Sequence, residues 1–284
     1  MSNTDATSRM TLAVRRIIYA FFAVMDSVIG RFGTRKARAI VLCYHSIASD
    51  SWRFNVSQEK FKKQIEWLIQ SGFEFLTLRD IDKIIGDGLI LRKPSVAITF
   101  DDGYKDIFTV KDWLYEKGIF PTVFVLSDSD RAILSETAPG KEFLSADDIR
   151  SLRTSGWEVG CHSATHPDFS QISEDAIPYE VVDAKARLES VTGGPVSYFA
   201  YPRGYYSLTL IENVRQAGYK MAFTMDDNHL DPKSDPLMLP RIGVDSSHTL
   251  EDFRGMITWL AITFRMVVKR ILAPRTVNRL LGIK

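Results

Sequence analysis

The chain is poor in cysteine. Cys43 and Cys161 form no CxxC pair and no disulfide framework, so a zinc ribbon and a stapled mini-domain are both excluded. Each precedes a histidine, Cys43 by two positions and Cys161 by one, and each reads as a small buried hydrophobe beside a site. Repeats and low-complexity tracts are absent. No long hydrophobic run exists near the N-terminus: the uninterrupted stretch from Ile17 to Met25 falls short of the roughly 20 residues a spanning helix needs. No basic stripe with interleaved aromatics crosses the middle of the chain, which excludes a nucleic-acid partner.

What is present is ordinary globular composition. The 284 residues are 45% hydrophobic and 25% charged, enough for one large α/β domain or two small ones. The charge is unevenly placed. Residues 1–40 hold seven Lys/Arg against Asp5 and Asp26, a balance of +5. Residues 254–284 hold seven and no acid, a balance of +7, which leaves −11 for the body out of a total of +1. An acidic body with two basic, apolar-rich ends fits a domain whose termini meet an anionic membrane surface.

Taken in order, residues 12–32 carry apolar positions at helical spacing (Val14, Ile17, Ile18, Phe21, Met25, Val28, Ile29). Arg15, Arg16, Tyr19, Asp26 and Ser27 fill the other face. Asp26 and the basic stretch 31–38 argue against a signal peptide, and an interfacial amphipathic helix is the expectation, with a plain domain-packing helix as the alternative. Strands follow at 39–45, 73–76, 96–100, 122–126, 157–161, 196–201 and 219–224, with a further extended stretch at 237–242. Helices are expected at 57–70, 78–85, 104–117, 145–154, 174–191 and 208–217. A last long helix is expected over 250–272, with Ile257, Leu260, Phe264, Val267 and Ile271 facing away from Arg265 and Lys269. Strand–helix alternation at this length predicts an α/β fold, a distorted (β/α) barrel of seven or eight parallel strands with amphipathic helices at both termini. The division expected is a basic N-terminal segment at 1–38, the barrel at 39–255, and a basic C-terminal helix and tail at 256–284.

In such barrels chemistry sits at the C-terminal ends of strands. His45, Asp101-Asp102, His162, Arg203 and Arg241 all fall there. Two adjacent carboxylates closing a buried strand are costly unless they share a cation or a proton. His162 and His166 stand four apart after another strand, so both imidazoles reach one ion. Two His and one carboxylate leave coordination positions open, and the second carboxylate suits a general base. His229 and His248 have no partners in sequence and read as loop histidines.

At these residues the chain resembles the polysaccharide deacetylases, the NodB homology domain of carbohydrate esterase family 4. The stretches are Thr99-Phe100-Asp101-Asp102-Gly103, His162-Ser163-Ala164-Thr165-His166-Pro167, Phe199-Ala200-Tyr201-Pro202-Arg203-Gly204, Leu239-Pro240-Arg241-Ile242 and Cys43-Tyr44-His45. The resemblance covers roughly 39–255. It implies metal-dependent removal of acetyl from an N-acetylated sugar. Asp102, His162 and His166 would hold the ion, expected to be zinc, and Asp101 would be the base. A backbone N–H of the Tyr201, Pro202, Arg203, Gly204 loop would face the oxyanion. No Leu-x-His follows near the C-terminal end, so His45 is assigned as general acid. The third stretch departs from the family pattern, with Ala200 in place of the usual Arg and Arg203 in place of an aromatic residue. Arg241 is then expected to brace Asp101, its alternative being a surface cation, and Arg203 to meet an anionic group on the substrate.

The reading is a carbohydrate N-deacetylase acting on an envelope polysaccharide or lipid-linked saccharide. It is expected to be cytoplasmic and peripheral on the inner face of the cell membrane. The alternative location is exported, or anchored by an uncleaved N-terminal segment. The alternative functions are an O-acetyl esterase or deformylase, or a silent saccharide-binding module.

Overall fold

A computed structural model describes residues 13–25, 38–88, 91–133, 138 and 140–271. Two compact units divide the chain, 37–246 and 1–36 with 247–284.

The larger unit alternates as the sequence predicts. Its elements are β1 (Ala39–Tyr44), α2 (Gln58–Gln70), β2 (Glu74–Leu76), α3 (Leu78–Asp87), β3 (Ser95–Phe100), α4 (Phe108–Glu116) and β4 (Thr122–Val125). They continue with α5 (Ala146–Thr154), β5 (Glu158–Cys161), α6 (Ala184–Thr192), β6 (Tyr198–Ala200), α7 (Leu208–Gln216), β7 (Met221–Phe223) and β8 (Ile242–Gly243). α1 (residues 13–25) precedes them. Serine or threonine caps start α2, α3, α5 and α7, each side chain accepting a backbone N–H of the first turn.

All strand pairs are parallel, in the order β7-β6-β5-β4-β3-β1-β8. β2 lies beside the first half of β3 and β4 beside its end. The segment running into β8 closes the ring. Leu239 bonds to Ala222 and Thr224 across β7, and Ile242 and Gly243 pair with Leu42 and Cys43 of β1.

Alternation along the strands sorts the side chains. Ala39, Val41, Ala97, Phe124, Tyr198, Ala200, Met221 and Phe223 fill the interior, and Leu78 and Ile81 of α3 plug its lower end. The intervening residues pack beneath the helices; Tyr44 and Phe100 meet Phe61 of α2 at 5.0 and 5.7 Å between ring centroids. Both faces of β1 and β3 are buried, which explains their near-continuous apolar sequence. The interior parity of Val41 and Ala97 continues to Cys43, Thr99 and Asp101, so the upper layer of the barrel turns polar.

The sequence reading differs from the structure in two places. Residues 174–191 do not form one α-helix: a 3-10 turn and a π-helical turn over Tyr179–Asp183 precede α6. The last helix is two, α8 (Leu250–Met256) and α9 (Trp259–Ile271). Thr258 ends one by donating to Gly255 O at 2.8 Å and starts the other by accepting from Ala261 N–H at 3.2 Å. On α9, Arg265 is buried and Phe264 and Val267 are exposed, so these stripe positions face away from Arg265 as expected; Ile257, at the end of α8, is buried.

On α1, Tyr19 of the polar face is buried, and Val14, Ile17 and Phe21 of the apolar face are exposed. A Cβ at Gly255 of α8 would stand 2.3 Å from Tyr19 O, so only glycine admits the α1 backbone this close. The rest of the expected helix, 26–32, and nearly all of the basic stretch 31–38 lie outside the described residues.

Candidate active site

β3 delivers its two acids differently. Asp101 keeps strand parity and points into the polar layer. Asp102 has φ 69°, which swings its carboxylate toward the β5 loop. Gly103 (φ +78°) completes the turn; a Cβ there would stand 2.9 Å from Val125 Cγ1, so β4 leaves room for hydrogen alone.

The β5 end carries His162 and His166. Their loop is held from two sides. Carbonyls of Ser163, Ala164 and Thr165 accept from Ser127, Asp128 and Ile133 of the loop after β4. Amides of Ala164 and Thr165 donate to Glu180 Oε2, both at 2.9 Å, and Thr165 Oγ1 donates to Glu180 Oε1 at 2.8 Å. Glu180 is a buried carboxylate on the π-helical turn, and sequence reasoning missed it; its neighbours' helical spacing made it look like a surface residue. Of the five described non-glycine residues with positive φ, Asp102, Ser163, His166 and Arg203 lie in these strand-end loops. Each such residue costs on the order of 1 kcal/mol or more, so the surrounding bonds must hold it.

Asp102, His162 and His166 come together. Asp102 Oδ1 is 3.4 Å from His162 Nε2 and 3.5 Å from His166 Nε2. The second nitrogen of His162 faces Ala200 O at 2.8 Å, which orients Nε2 toward the acid. Asp102 Oδ1 is buried and has no hydrogen-bond partner. Those separations are long for hydrogen bonds, but ligands of a tetrahedral ion at about 2.0–2.1 Å stand roughly 3.3–3.4 Å apart. The three residues therefore fit a divalent cation in spacing, chemistry and unmet bonding.

Asp101 has another partner. Arg241, fully buried, donates Nη1 to Oδ1 at 2.6 Å and Nη2 to Oδ2 at 2.7 Å. Its Nε and Nη1 also reach Thr224 O and Thr99 Oγ1, both at 3.3 Å. Burial pushes the Asp101 carboxyl up, but the Arg241 guanidinium and His162 outweigh it and hold the pKa at about 2. Asp102 is likewise lowered against the effect of burial, by the adjoining His162 and His166 imidazoles. Burial brings His166 down to about 4, so it presents a neutral ring near pH 7. His162 moves up, the nearby carboxylates overcoming its burial.

Cys43 donates its thiol to Asp101 Oδ2 at 3.3 Å, and burial keeps that thiol protonated. Cys43, His45 and Asp101 also converge. With Asp101 gripped twice by Arg241 and the thiol retaining its proton, that second group belongs to the base's surroundings rather than to an ion. His45 stacks on Phe54 (4.8 Å, 30°), with Trp52 edge-on at 6.1 Å; its Nδ1 is buried and has no hydrogen-bond partner. The following residues are pinned: Asp106 accepts from Ser46 Oγ, Ile47 N–H and Lys141 Nζ.

Three positions of the Tyr201–Gly204 loop offer an oxyanion no amide. The Tyr201 amide bonds to Phe223 O in the ladder, Pro202 has no N–H, and the Gly204 amide turns back to Tyr201 O at 2.8 Å. The Tyr201 hydroxyl is spent on Leu237 O. Arg203, offered to a substrate anion, pairs with Asp168 at 2.6 Å.

A protein-family model described as polysaccharide deacetylase matches residues 90–222. That span contains Asp101, Asp102, His162 and His166 but neither His45 nor Arg241. Among curated relatives, a putative polysaccharide deacetylase, YxkH, of Bacillus subtilis (strain 168) is 24% identical over 196 residues, 68% of this chain and 66% of that protein. The match thus spans slightly less than two thirds of that relative. A poly-beta-1,6-N-acetyl-D-glucosamine N-deacetylase of Staphylococcus aureus (strain MRSA252) is 23% identical over 209 residues, 70% of this chain and 71% of that protein. Among solved structures, the Streptococcus pyogenes deacetylase PplD in complex with acetate has a TM-score of 0.67 at 23% identity, covering 77% of this chain and 97% of that one. IcaB from Ammonifex degensii gives 0.69 at 24%, covering 80% and 98%. These likenesses show a shared fold.

Proposed function

We propose that this chain is a polysaccharide deacetylase, as the family model matching residues 90–222 suggests, and that it hydrolyses the acetamide of an N-acetylated sugar in an envelope polysaccharide or lipid-linked saccharide. The observation that carries the reading is the convergence of Asp102, His162 and His166 beside a separate carboxylate, Asp101, clamped by Arg241. The Staphylococcus aureus relative, named for poly-beta-1,6-N-acetyl-D-glucosamine, supports a polymer of that kind as substrate.

Asp102, His162 and His166 would hold a divalent cation, zinc by donor type. When bound, the ion supplies Lewis acidity toward water and the acetyl carbonyl. The chain's own groups do the rest. Asp101 accepts a proton from the attacking water, and Arg241 keeps that carboxylate ionised and fixed in orientation. His45 gives a proton to the departing amine nitrogen. The water oxygen bonds to the acetyl carbon, the C–N bond breaks, and the products are acetate and a free amino sugar. Trp52 and Phe54 wall the His45 side of the site with apolar surface.

Incubation with oligosaccharides of β-1,6-linked N-acetylglucosamine, with and without chelator, tests this by acetate release. Asp101→Asn should lose activity by roughly 10³-fold while keeping its metal, whereas His162→Ala should lose both. Undiminished turnover by Asp101→Asn, or faster release from O-acetyl or N-formyl substrates, would overturn the assignment.

A further inference from the structure

The helices of the smaller unit leave apolar stripes exposed while several of their polar groups are buried. On α1, Val14, Ile17, Phe21 and Val24 recur at steps of three and four, so they form one stripe, and they are 47, 70, 58 and 63% exposed. On α9, Trp259, Phe264 and Val267 are also exposed. The ring of Phe22 meets that of Phe264 at 5.4 Å, which sets the outward faces of the two helices side by side.

The inward faces pack apolar side chains such as Phe253, Met256 and Ile262, and hold buried polar groups among them. Arg265 lies over the Tyr19 ring at 5.7 Å and donates to Met256 O at 2.8 Å. Arg15 donates to Ser247 O at 3.1 Å. Asp252 is buried and accepts from the Thr249 amide and hydroxyl, both at 3.0 Å. With the polar groups of these helices satisfied inside, the contiguous apolar stripe left outside suits a medium less polar than water. Among the described residues no helix is long and apolar enough to cross a bilayer, so the arrangement fits a helix pair lying along the interface.

The charge of the chain selects the occupant. The segments carrying these helices hold balances of +5 (1–40) and +7 (254–284), against −11 for the body. Two copies meeting here would bring like charges together, whereas an anionic lipid surface complements both segments. We propose that the outward faces of α1 and α9 form a docking surface for an anionic bilayer. Ile17, Phe21, Val24 and Phe264 enter the boundary between headgroups and acyl chains. This does not depend on the chemistry of the barrel.

Flotation of the full-length protein with phosphatidylcholine vesicles, with and without phosphatidylglycerol, tests it. Wild type should float with the phosphatidylglycerol vesicles and much less with phosphatidylcholine alone. The double variant Ile17→Glu/Phe21→Glu should lose about ten-fold or more of that binding, with its circular dichroism, thermal midpoint and acetate release from a soluble oligosaccharide unchanged. The proposal is overturned if the variant floats like wild type, or if both vesicle types bind equally. It is also overturned if sedimentation shows a wild-type dimer that the same substitutions dissolve, since a second copy would then own this face.

Discussion

Asp101 and Asp102 are neighbours in sequence with different duties, and a single dihedral separates them. The positive φ at Asp102 turns one carboxylate toward two imidazoles and leaves the other against a guanidinium. Because Arg241 grips Asp101 through two parallel bonds, a lysine cannot substitute for it. Arg241→Lys should lower kcat by roughly 10–100-fold while leaving metal content intact, measured by acetate release and elemental analysis. Much of this site was legible in the sequence. An Asp-Asp-Gly turn after a β-branched run and two histidines four apart have few other uses together. Arg241 was legible only by elimination, once Ala200 stood where an arginine was expected. Which of the Tyr201–Gly204 amides the ladder consumes was not legible, because a sequence does not say where N–H groups go.

Elements position these residues through carboxylates that local pattern does not reveal. Glu180 holds the His162–His166 loop through two amides and a hydroxyl. Glu180→Ala should cost about 2–4 kcal/mol in urea denaturation, because it strands buried donors, and should weaken metal binding as the loop relaxes. At the opposite end of the barrel, Glu158 accepts from the Leu78 and Arg79 amides and ties α3 to β5. Burial raises its pKa above the ordinary glutamate value despite those bonds. A folded-state pKa above the unfolded one means a contribution fully present below the unfolded pKa and lost as pH rises through the folded one. Relative to Glu158→Gln, the wild type should therefore gain stability as pH falls from 7 toward the ordinary glutamate pKa, read as the difference between two denaturation series. Both glutamates escaped notice for the same reason: a charged residue in a helical or strand pattern looks solvated until its partners are known. The break at Thr258 escaped likewise, since threonine ends one helix and starts the next only through bonds the pattern does not encode.

The whole molecule separates what holds it up from what it does. The barrel interior is apolar and plugged by α3, and the candidate ion would sit above that layer. Removal of metal by chelator should abolish acetate release yet leave cooperative unfolding in place, with the thermal midpoint lower by a few degrees, measured by calorimetry. The barrel was legible because its strands are apolar on both faces and alternate with capped helices. Periodicity marked an apolar and a polar face on α1 and α9 without saying which one meets the protein.

The segment from Leu239 to Gly243 is both the seam of the barrel and the carrier of Arg241. Shape and reactivity thus share one fastening. Loosening that seam would withdraw the guanidinium and leave Asp101 unbraced while most strands remained paired. Mild denaturant should therefore silence turnover before the bulk of the amides begin to exchange with deuterium, making this short stretch the first fuse in the molecule to blow.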